Sequence, residues 1–170
     1  MRATTGGSGD TTCQSEVGTR DSYFLAGTYA ARIRFADAVA GASQPTVQAF
    51  TTYKGLACDL DYSECDIEYT LVDPWSTRCG ALPAMHFQTW EQYCDSPLIY
   101  DAMPAQPAPV CGSLTGWHLY TIQISGGTVR YYIDGALVAT HTVSLPGSVV
   151  ALASNNGPAP LSVDWMRMTP

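Results

Sequence analysis

The sequence predicts an all-β protein, built as a two-sheet antiparallel sandwich in which one sheet curves into a cleft. Only 14% of the 170 residues are charged, 15 are Gly and 11 are Pro, and the periodic segments are rich in Thr, Val and Tyr. These residue types favour strands and turns over helices. A chain of this length buries about two thirds of its unfolded surface around one core, so we expect one domain.

Apolar and polar residues alternate in several segments, as they do in half-buried strands. The predicted strands are 28–35, 46–53, 63–71, 85–90, 117–125, 128–133, 136–143, 148–154 and 161–168. Gly126-Gly127 and Asp134-Gly135 are two-residue turns of the kind that close hairpins. Residues 95–116 are rich in proline and are predicted to form a long surface loop.

The predicted domain covers residues 16–170, and residues 1–15 are predicted to be a linker or a disordered N-terminus. The opening MRATTGGSGDTT is rich in Gly, Ser and Thr and lacks the apolar core of an export signal. We therefore expect any such signal to have been removed. Trp117 and Trp165 are predicted to lie in the core, and His118 and His141 to be structural.

Charge and cysteine content restrict the classes of partner and compartment. A net charge of -7 with only eight Lys and Arg leaves little to bind nucleic acid or an anionic membrane. The six cysteines have no C-x-x-C spacing, which favours disulfides over a zinc site and an extracellular protein. Among the possible pairings we favour Cys94 with Cys111, which would close the proline-rich loop.

Three carboxylates occupy every second position of the segment Glu64-Cys65-Asp66-Ile67-Glu68. An extended chain points them to one face and turns Cys65 towards the core. Crowded carboxylates raise one another's pKa, which keeps one of them protonated near neutral pH. We interpret the row as a candidate catalytic site, with a calcium site or a solvated face as alternatives.

Retaining cleavage of a glycosidic bond needs a nucleophilic carboxylate and a carboxylic acid about 5 to 5.5 Å apart. Glu64 and Glu68 could supply both groups. Their Cα atoms would lie roughly 13 Å apart on a flat strand, so the face must be concave and both side chains must lean inward. Glu64 with Asp66 is the nearer alternative pair.

Five segments, in order along the chain, resemble glycoside hydrolase family 16 over roughly residues 16–168. They are GTYAARI at 27–33, ECDIE at 64–68, WHLY at 117–120, RYYIDG at 130–135 and VDWMR at 163–167. The resemblance implies a concanavalin A-like β-jelly roll with a concave carbohydrate cleft. It also implies a secreted, monomeric endo-β-glucanase-like hydrolase or transglycosylase that needs no cofactor and acts on a β-linked polysaccharide by retaining double displacement.

The resemblance assigns Glu64 as nucleophile, Asp66 as its partner and Glu68 as acid/base. A single residue separates Asp66 from Glu68, which is the regular-strand pattern of lichenases and xyloglucan transferases. That pattern favours β-1,3-1,4-linked or β-1,4-linked glucans.

Substrate contacts are predicted beside the carboxylate row. Aromatic rings can stack on the flat faces of sugars, and polar side chains that border the cleft can bind hydroxyl groups. The candidates are the platforms Tyr53, Trp75 and Trp90 and the polar residues His86 and Gln88. Core packing is the alternative role for Trp90, and a structural role is the alternative for His86.

Asp164 matches an Asp that helps to hold a structural calcium in some members of the family, with a plain surface residue as the alternative. The segment 144–160 lacks the aromatic loop that many members carry over the cleft. A reduced cleft keeps two other functions open: a non-catalytic, lectin-like carbohydrate-binding module, and a structural protein of the extracellular matrix.

Overall fold

The computed structural model describes residues 2–5, 14–19, 25–36, 47–54, 58, 62–71, 78–95, 98–102, 108–143, 145, 150–156 and 161–170. Over these ranges the chain forms strands and no helix, as predicted. The strands are β1 (Arg2–Thr5), β2 (Gln14–Gly18), β3 (Gly27–Arg34), β4 (Val47–Lys54), β5 (Ser63–Thr70), β6 (Ala84–Asp95), β7 (Leu98–Ala102), β8 (Val110–Cys111), β9 (His118–Ser125), β10 (Thr128–Ile133), β11 (Ala136–Thr142), β12 (Val150–Asn156) and β13 (Ser162–Thr169).

The strands form two antiparallel sheets. The eight-stranded sheet has the order β1-β2-β12-β4-β5-β6-β7, with β8 also paired to β6, and the five-stranded sheet has the order β11-β10-β9-β3-β13. The predicted turns close the hairpins of the smaller sheet, where Gly126, Gly127, Asp134 and Gly135 all have positive φ. The predicted two-sheet sandwich is therefore confirmed. No described element is a helix long and apolar enough to cross a bilayer.

The core lies between the two sheets and is built largely from aromatic rings. Phe35 directly follows β3, and its ring centroid lies 5.5 Å from that of Tyr69 on β5 and 4.9 Å from that of Tyr120 on β9. Phe87 of β6 packs 5.7 Å from Tyr131 of β10. The Phe35–Tyr69 and Phe87–Tyr131 pairs join the two sheets, whereas Phe35–Tyr120 packs within the five-stranded sheet. Burial of these rings holds the sandwich together.

Hydrogen bonds between buried polar groups also join the sheets. Thr89 Oγ1 of β6 lies 2.6 Å from the Tyr131 hydroxyl and 2.7 Å from Nδ1 of His141 on β11. The fully buried Gln48 side chain donates to the carbonyl of Ala36 and accepts from its amide, at 2.8 and 2.9 Å. These bonds satisfy groups that would otherwise be costly to bury. His141 is structural, as predicted.

Two segments that were predicted to be irregular contain strands. The proline-rich region 95–116 contributes β7 and β8, which pair with different ends of β6. The N-terminal region 1–15 contains β1 and the start of β2. In both places a neighbouring strand has free backbone groups at its edge, and pairing satisfies them despite an unfavourable composition.

The prediction that Trp117 and Trp165 lie in the core is wrong, because their side chains are 39% and 38% exposed. A β-bulge between Val163 and Trp165 shifts the register of β13 against β3. Val163 lies opposite Ile33 on the core face, whereas Trp165 lies opposite Arg32 on the outer face. The bulge breaks the alternation on which the prediction for Trp165 depended.

The predicted disulfide between Cys94 and Cys111 is also wrong, since Cys111 is bonded to Cys79. The turn before β6 and the pairing of β8 with Ala84 and Met85 bring these two cysteines together. Cys58 is also disulfide-bonded. Cys65 is a buried free thiol.

Replacement of Cys79 and Cys111 by Ser should lower the stability without changing the fold. The two cysteines are 32 residues apart, and opening a loop of this size costs about 3 to 4 kcal/mol, or roughly 10 °C in Tm. Thermal unfolding followed by circular dichroism measures this loss. Peptide mapping of the unreduced wild-type protein provides the control, because a linked Cys94–Cys111 peptide would contradict the assignment.

Candidate active site

The carboxylate row lies at the centre of the eight-stranded sheet, on the face turned away from the core. Strand β5 carries Glu64, Asp66 and Glu68 at alternate positions, while Cys65, Ile67 and Tyr69 are fully buried on the core side. No register shift interrupts the pairing of β5 with β4 or β6. The predicted regular strand is therefore confirmed.

Neighbouring strands place side chains on both sides of each carboxylate. The register across β4, β5 and β6 gives three rows: Tyr53, Glu64 and Trp90; Thr51, Asp66 and Gln88; Ala49, Glu68 and His86. Four of the five predicted substrate contacts thus flank the carboxylates. The fifth, Trp75, lies outside the described residues.

Asp66 is the most enclosed member of the row, with 3% of its surface exposed. Thr51 Oγ1 donates to its Oδ1 at 2.7 Å, and the Trp90 indole Nε1 donates to its Oδ2 at 3.2 Å. Burial, followed by the charges of Glu64 and Glu68, raises the pKa of Asp66 well above its usual value. Trp90 is half-buried, and its indole N–H is committed to orienting this carboxyl group.

Glu64 accepts a hydrogen bond on Oε2 from the hydroxyl of Tyr62. Burial raises the pKa of Glu64, whereas hydrogen bonds with Tyr62 and Asp66 lower it. Tyr62 is itself buried and packs edge-to-face on Tyr53, with ring centroids 5.5 Å apart. Tyr62 was not predicted as a site residue, although it continues the alternation of positions 64, 66 and 68 by one step.

Glu68 is the member best suited to be an acid at neutral pH. Burial, followed by the charge of Glu64, raises its pKa to about 7. Its Oε2 atom is buried and has no hydrogen-bond partner within the described ranges. The site thus combines an oriented carboxylate, Glu64, with a carboxylic acid that can hold or release its proton near neutrality.

The surroundings of Asp164 do not fit the calcium site considered from the sequence. Its Oδ2 lies 2.6 Å from the guanidinium of Arg32 on the outer face of the five-stranded sheet. No group of three or more potential ligands among His, Cys, Asp and Glu occurs in the part of the chain that the structure describes. A guanidinium bonded to the carboxylate already supplies the positive charge and would repel a divalent cation.

Solved structures similar to this chain include glucanases and carrageenases. A β-glucanase from Bacillus licheniformis is 17% identical with a TM-score of 0.64, over 93% of this chain and 72% of that one. A family 16 endo-glucanase from Bacteroides ovatus is 11% identical with a TM-score of 0.65, over 98% and 85%. A κ-carrageenase from Pseudoalteromonas carrageenovora is 16% identical with a TM-score of 0.55, over 92% and 67%.

No family model and no curated protein sequence matches the chain. At these identities the structural likeness shows the jelly-roll fold. It confirms the fold expected from the resemblance to glycoside hydrolase family 16.

Glu68→Gln should stabilise the protein at alkaline pH. A carboxyl whose pKa is raised on folding favours the folded state below its unfolded pKa, near 4.5, and this contribution is lost as the pH rises through about 7. The substitution removes the cost of ionising a buried carboxyl, so the variant should be about 3 kcal/mol more stable than wild type at pH 8 and little changed at pH 4.5. Thermal unfolding across this pH range measures the difference.

Asp134→Asn provides a control of opposite sign. Hydrogen bonding from His118 lowers the pKa of Asp134. The carboxylate therefore stabilises the folded protein at neutral pH, and this stabilisation is lost in acid. The Asn variant should be less stable than wild type at pH 7, and the difference in stability should shrink in acid.

A Glu68→Gln protein that is no more stable than wild type at pH 8 would contradict the assignment of a buried, crowded carboxylate at position 68.

Proposed function

We propose that the chain is a secreted glycoside hydrolase that cleaves a β-linked polysaccharide, of the β-glucan type, by retaining double displacement. The observation that carries this proposal is the row on β5, in which a hydrogen-bonded Glu64 lies near a Glu68 whose pKa is raised to about 7. The solved structures of the same fold support it, because they include a β-glucanase and a family 16 endo-glucanase.

In the first step Glu64 attacks the anomeric carbon while Glu68 gives its proton to the oxygen of the leaving sugar. In the second step Glu68, now a carboxylate, takes a proton from water, which attacks the glycosyl-enzyme and releases Glu64. The negative charge of Glu64 is lost when the covalent bond forms, so the pKa of Glu68 falls and Glu68 is more fully ionised. Water activation is then easier at the same pH.

Asp66 and Tyr62 act by positioning Glu64. Asp66 is held by hydrogen bonds from Thr51 and Trp90 and lies between the two glutamates. Its carboxyl group therefore titrates together with theirs. The Tyr62 hydroxyl orients one oxygen of Glu64 and stabilises its charged form. The carboxyl groups supply both the nucleophile and the acid, so the proposed reaction needs no cofactor.

Substrate class and compartment belong to the same proposal. Tyr53 and Trp90 would contact sugar faces, and His86 and Gln88 would bind hydroxyl groups of the polymer. The regular β5 favours a β-1,3-1,4-linked or β-1,4-linked glucan.

The disulfides at Cys79–Cys111 and Cys58 support an oxidising, extracellular compartment. We expect the protein to act as a monomer.

Glu64→Gln should abolish hydrolysis while leaving the fold intact. Loss of the attacking carboxylate should slow turnover by more than the roughly 10²-fold to 10⁴-fold that acid–base assistance contributes. Reducing-sugar release from lichenan, laminarin, xyloglucan, chitin and galactan measures turnover, and Glu91→Gln on β6 is the matched control. Turnover of Glu64→Gln near wild type would refute the mechanism. Glycan binding without products in the wild type would instead favour a lectin-like module.

Tyr62→Phe should reduce kcat and move the acidic limb of its pH profile to higher pH. The hydrogen bond from Tyr62 lowers the pKa of Glu64, so Glu64 becomes harder to ionise without it. Loss of one hydrogen bond to a charged group should cost roughly tenfold or more. Tyr132→Phe is the matched control, since its hydroxyl bonds Gln123 in the other sheet. An acidic limb unchanged in Tyr62→Phe would exclude the positioning role.

A further inference from the structure

The outer face of the five-stranded sheet concentrates arginines that the proposed chemistry does not use. Alternation in the strands turns Arg32 and Arg34 of β3, Arg130 of β10 and Arg167 of β13 to this face. They are half of the eight Lys and Arg residues in a chain whose net charge is -7. The described carboxylates on this face are Asp134 and Asp164. The face is therefore locally basic on an acidic protein.

An exposed tryptophan ring holds two of the arginines in place. The guanidinium carbons of Arg32 and Arg34 lie 5.0 and 5.3 Å from the centroid of the Trp117 ring. Arg32 is further fixed by Asp164 at 2.6 Å, and Arg34 donates to Ser162 Oγ at 3.3 Å. Side chains restrained in this way lose less entropy when they bind a ligand.

The other two arginines stand near opposite ends of one row of side chains, since Arg167 begins the row and Arg130 lies two residues before its last member, Tyr132. The register places Arg167, Ala30, Thr121 and Tyr132 in one row across β13, β3, β9 and β10. The row is about 14 Å long at about 4.8 Å per strand, with small residues in its middle. Arg130 and Arg167 make no ion pair with any described residue of the chain, and the half-exposed Trp165 lies beside Arg167 in β13.

We propose that this outer face is a second, non-catalytic binding surface for an anionic polysaccharide that carries sulfate or carboxylate groups. Guanidinium groups bind such oxyanions through paired hydrogen bonds, and the exposed faces of Trp165 and Tyr132 offer apolar contacts for sugar rings. The choice of a saccharide over another polyanion rests in part on the proposed function. The core separates this surface from the carboxylate row, so the two sites bind polymer independently.

The binding test uses α-linked polymers, which lie outside the proposed β-specificity of the cleft. Isothermal titration measures the affinity of the wild-type protein for dextran sulfate, polygalacturonate, neutral dextran and polyphosphate, at several salt concentrations. The variant Arg130→Gln/Arg167→Gln removes two positive charges from the face, and Lys54→Gln/Arg78→Gln removes the same charge elsewhere. Trp165→Ala tests the aromatic contact, and circular dichroism verifies that each variant is folded.

We expect dextran sulfate or polygalacturonate to bind and neutral dextran not to bind, and the tighter of the two identifies the anionic group. Arg130→Gln/Arg167→Gln should weaken binding about tenfold and flatten its salt dependence, because an exposed ion pair contributes up to roughly fivefold. The Lys54→Gln/Arg78→Gln control should bind like wild type. Trp165→Ala should weaken the binding of the polysaccharide but not of polyphosphate.

The proposal is overturned if neither anionic polysaccharide binds, or if the double arginine variant binds them like wild type. It is also overturned if polyphosphate binds as tightly as the polysaccharides and Trp165→Ala changes neither affinity. Hydrolysis of lichenan, measured on the same proteins, separates the two proposals. Hydrolysis of lichenan without binding of an anionic polysaccharide would refute only the second binding surface. Binding of the anionic polysaccharide without hydrolysis would refute only the catalytic function.

Discussion

The pairing register of β5 between β4 and β6 decides which of its side chains enter the core and which form the carboxylate row. It puts Glu64, Asp66 and Glu68 on the open face and Cys65, Ile67 and Tyr69 in the core. A slip of one residue would bury three carboxylates between the sheets and expose three apolar side chains. Burial of the core face therefore fixes the register, and the register aligns the carboxylates.

The aligned carboxylates repel one another, and the surrounding side chains offset this cost. Donors from three different elements reach the row: Thr51 on β4, Trp90 on β6 and Tyr62 just before β5. They favour the charged forms of Asp66 and Glu64, while Glu68 Oε2 has no donor among the described residues and the pKa of Glu68 is raised to about 7. An unequal supply of hydrogen bonds thus gives three chemically similar groups different surroundings.

Local pattern was enough to predict the features that depend on single strands or turns. Alternation gave the carboxylate face, and Asp134-Gly135 gave a hairpin because few residues accept positive φ. Features that depend on a partner strand were missed. Alternation failed for Trp165 because a bulge opposite Arg32 turns it outward, and the Cys79–Cys111 bond follows from the pairing of β8 with β6, which composition alone did not reveal. Tyr62 could have been found by extending the alternation by one step.

The buried thiol of Cys65 has a consequence for the order of oxidative folding. In the native sheet burial raises the pKa of Cys65 to about 12, and the thiol lies among Thr52, Thr89 and Tyr131. A thiol in that state is neither ionised nor accessible, so it cannot exchange with a disulfide. In a chain whose β5 is outside the sheet, the same thiol would be free to compete with Cys79 for Cys111. Docking of β5 into the sheet therefore protects the Cys79–Cys111 disulfide from exchange with Cys65.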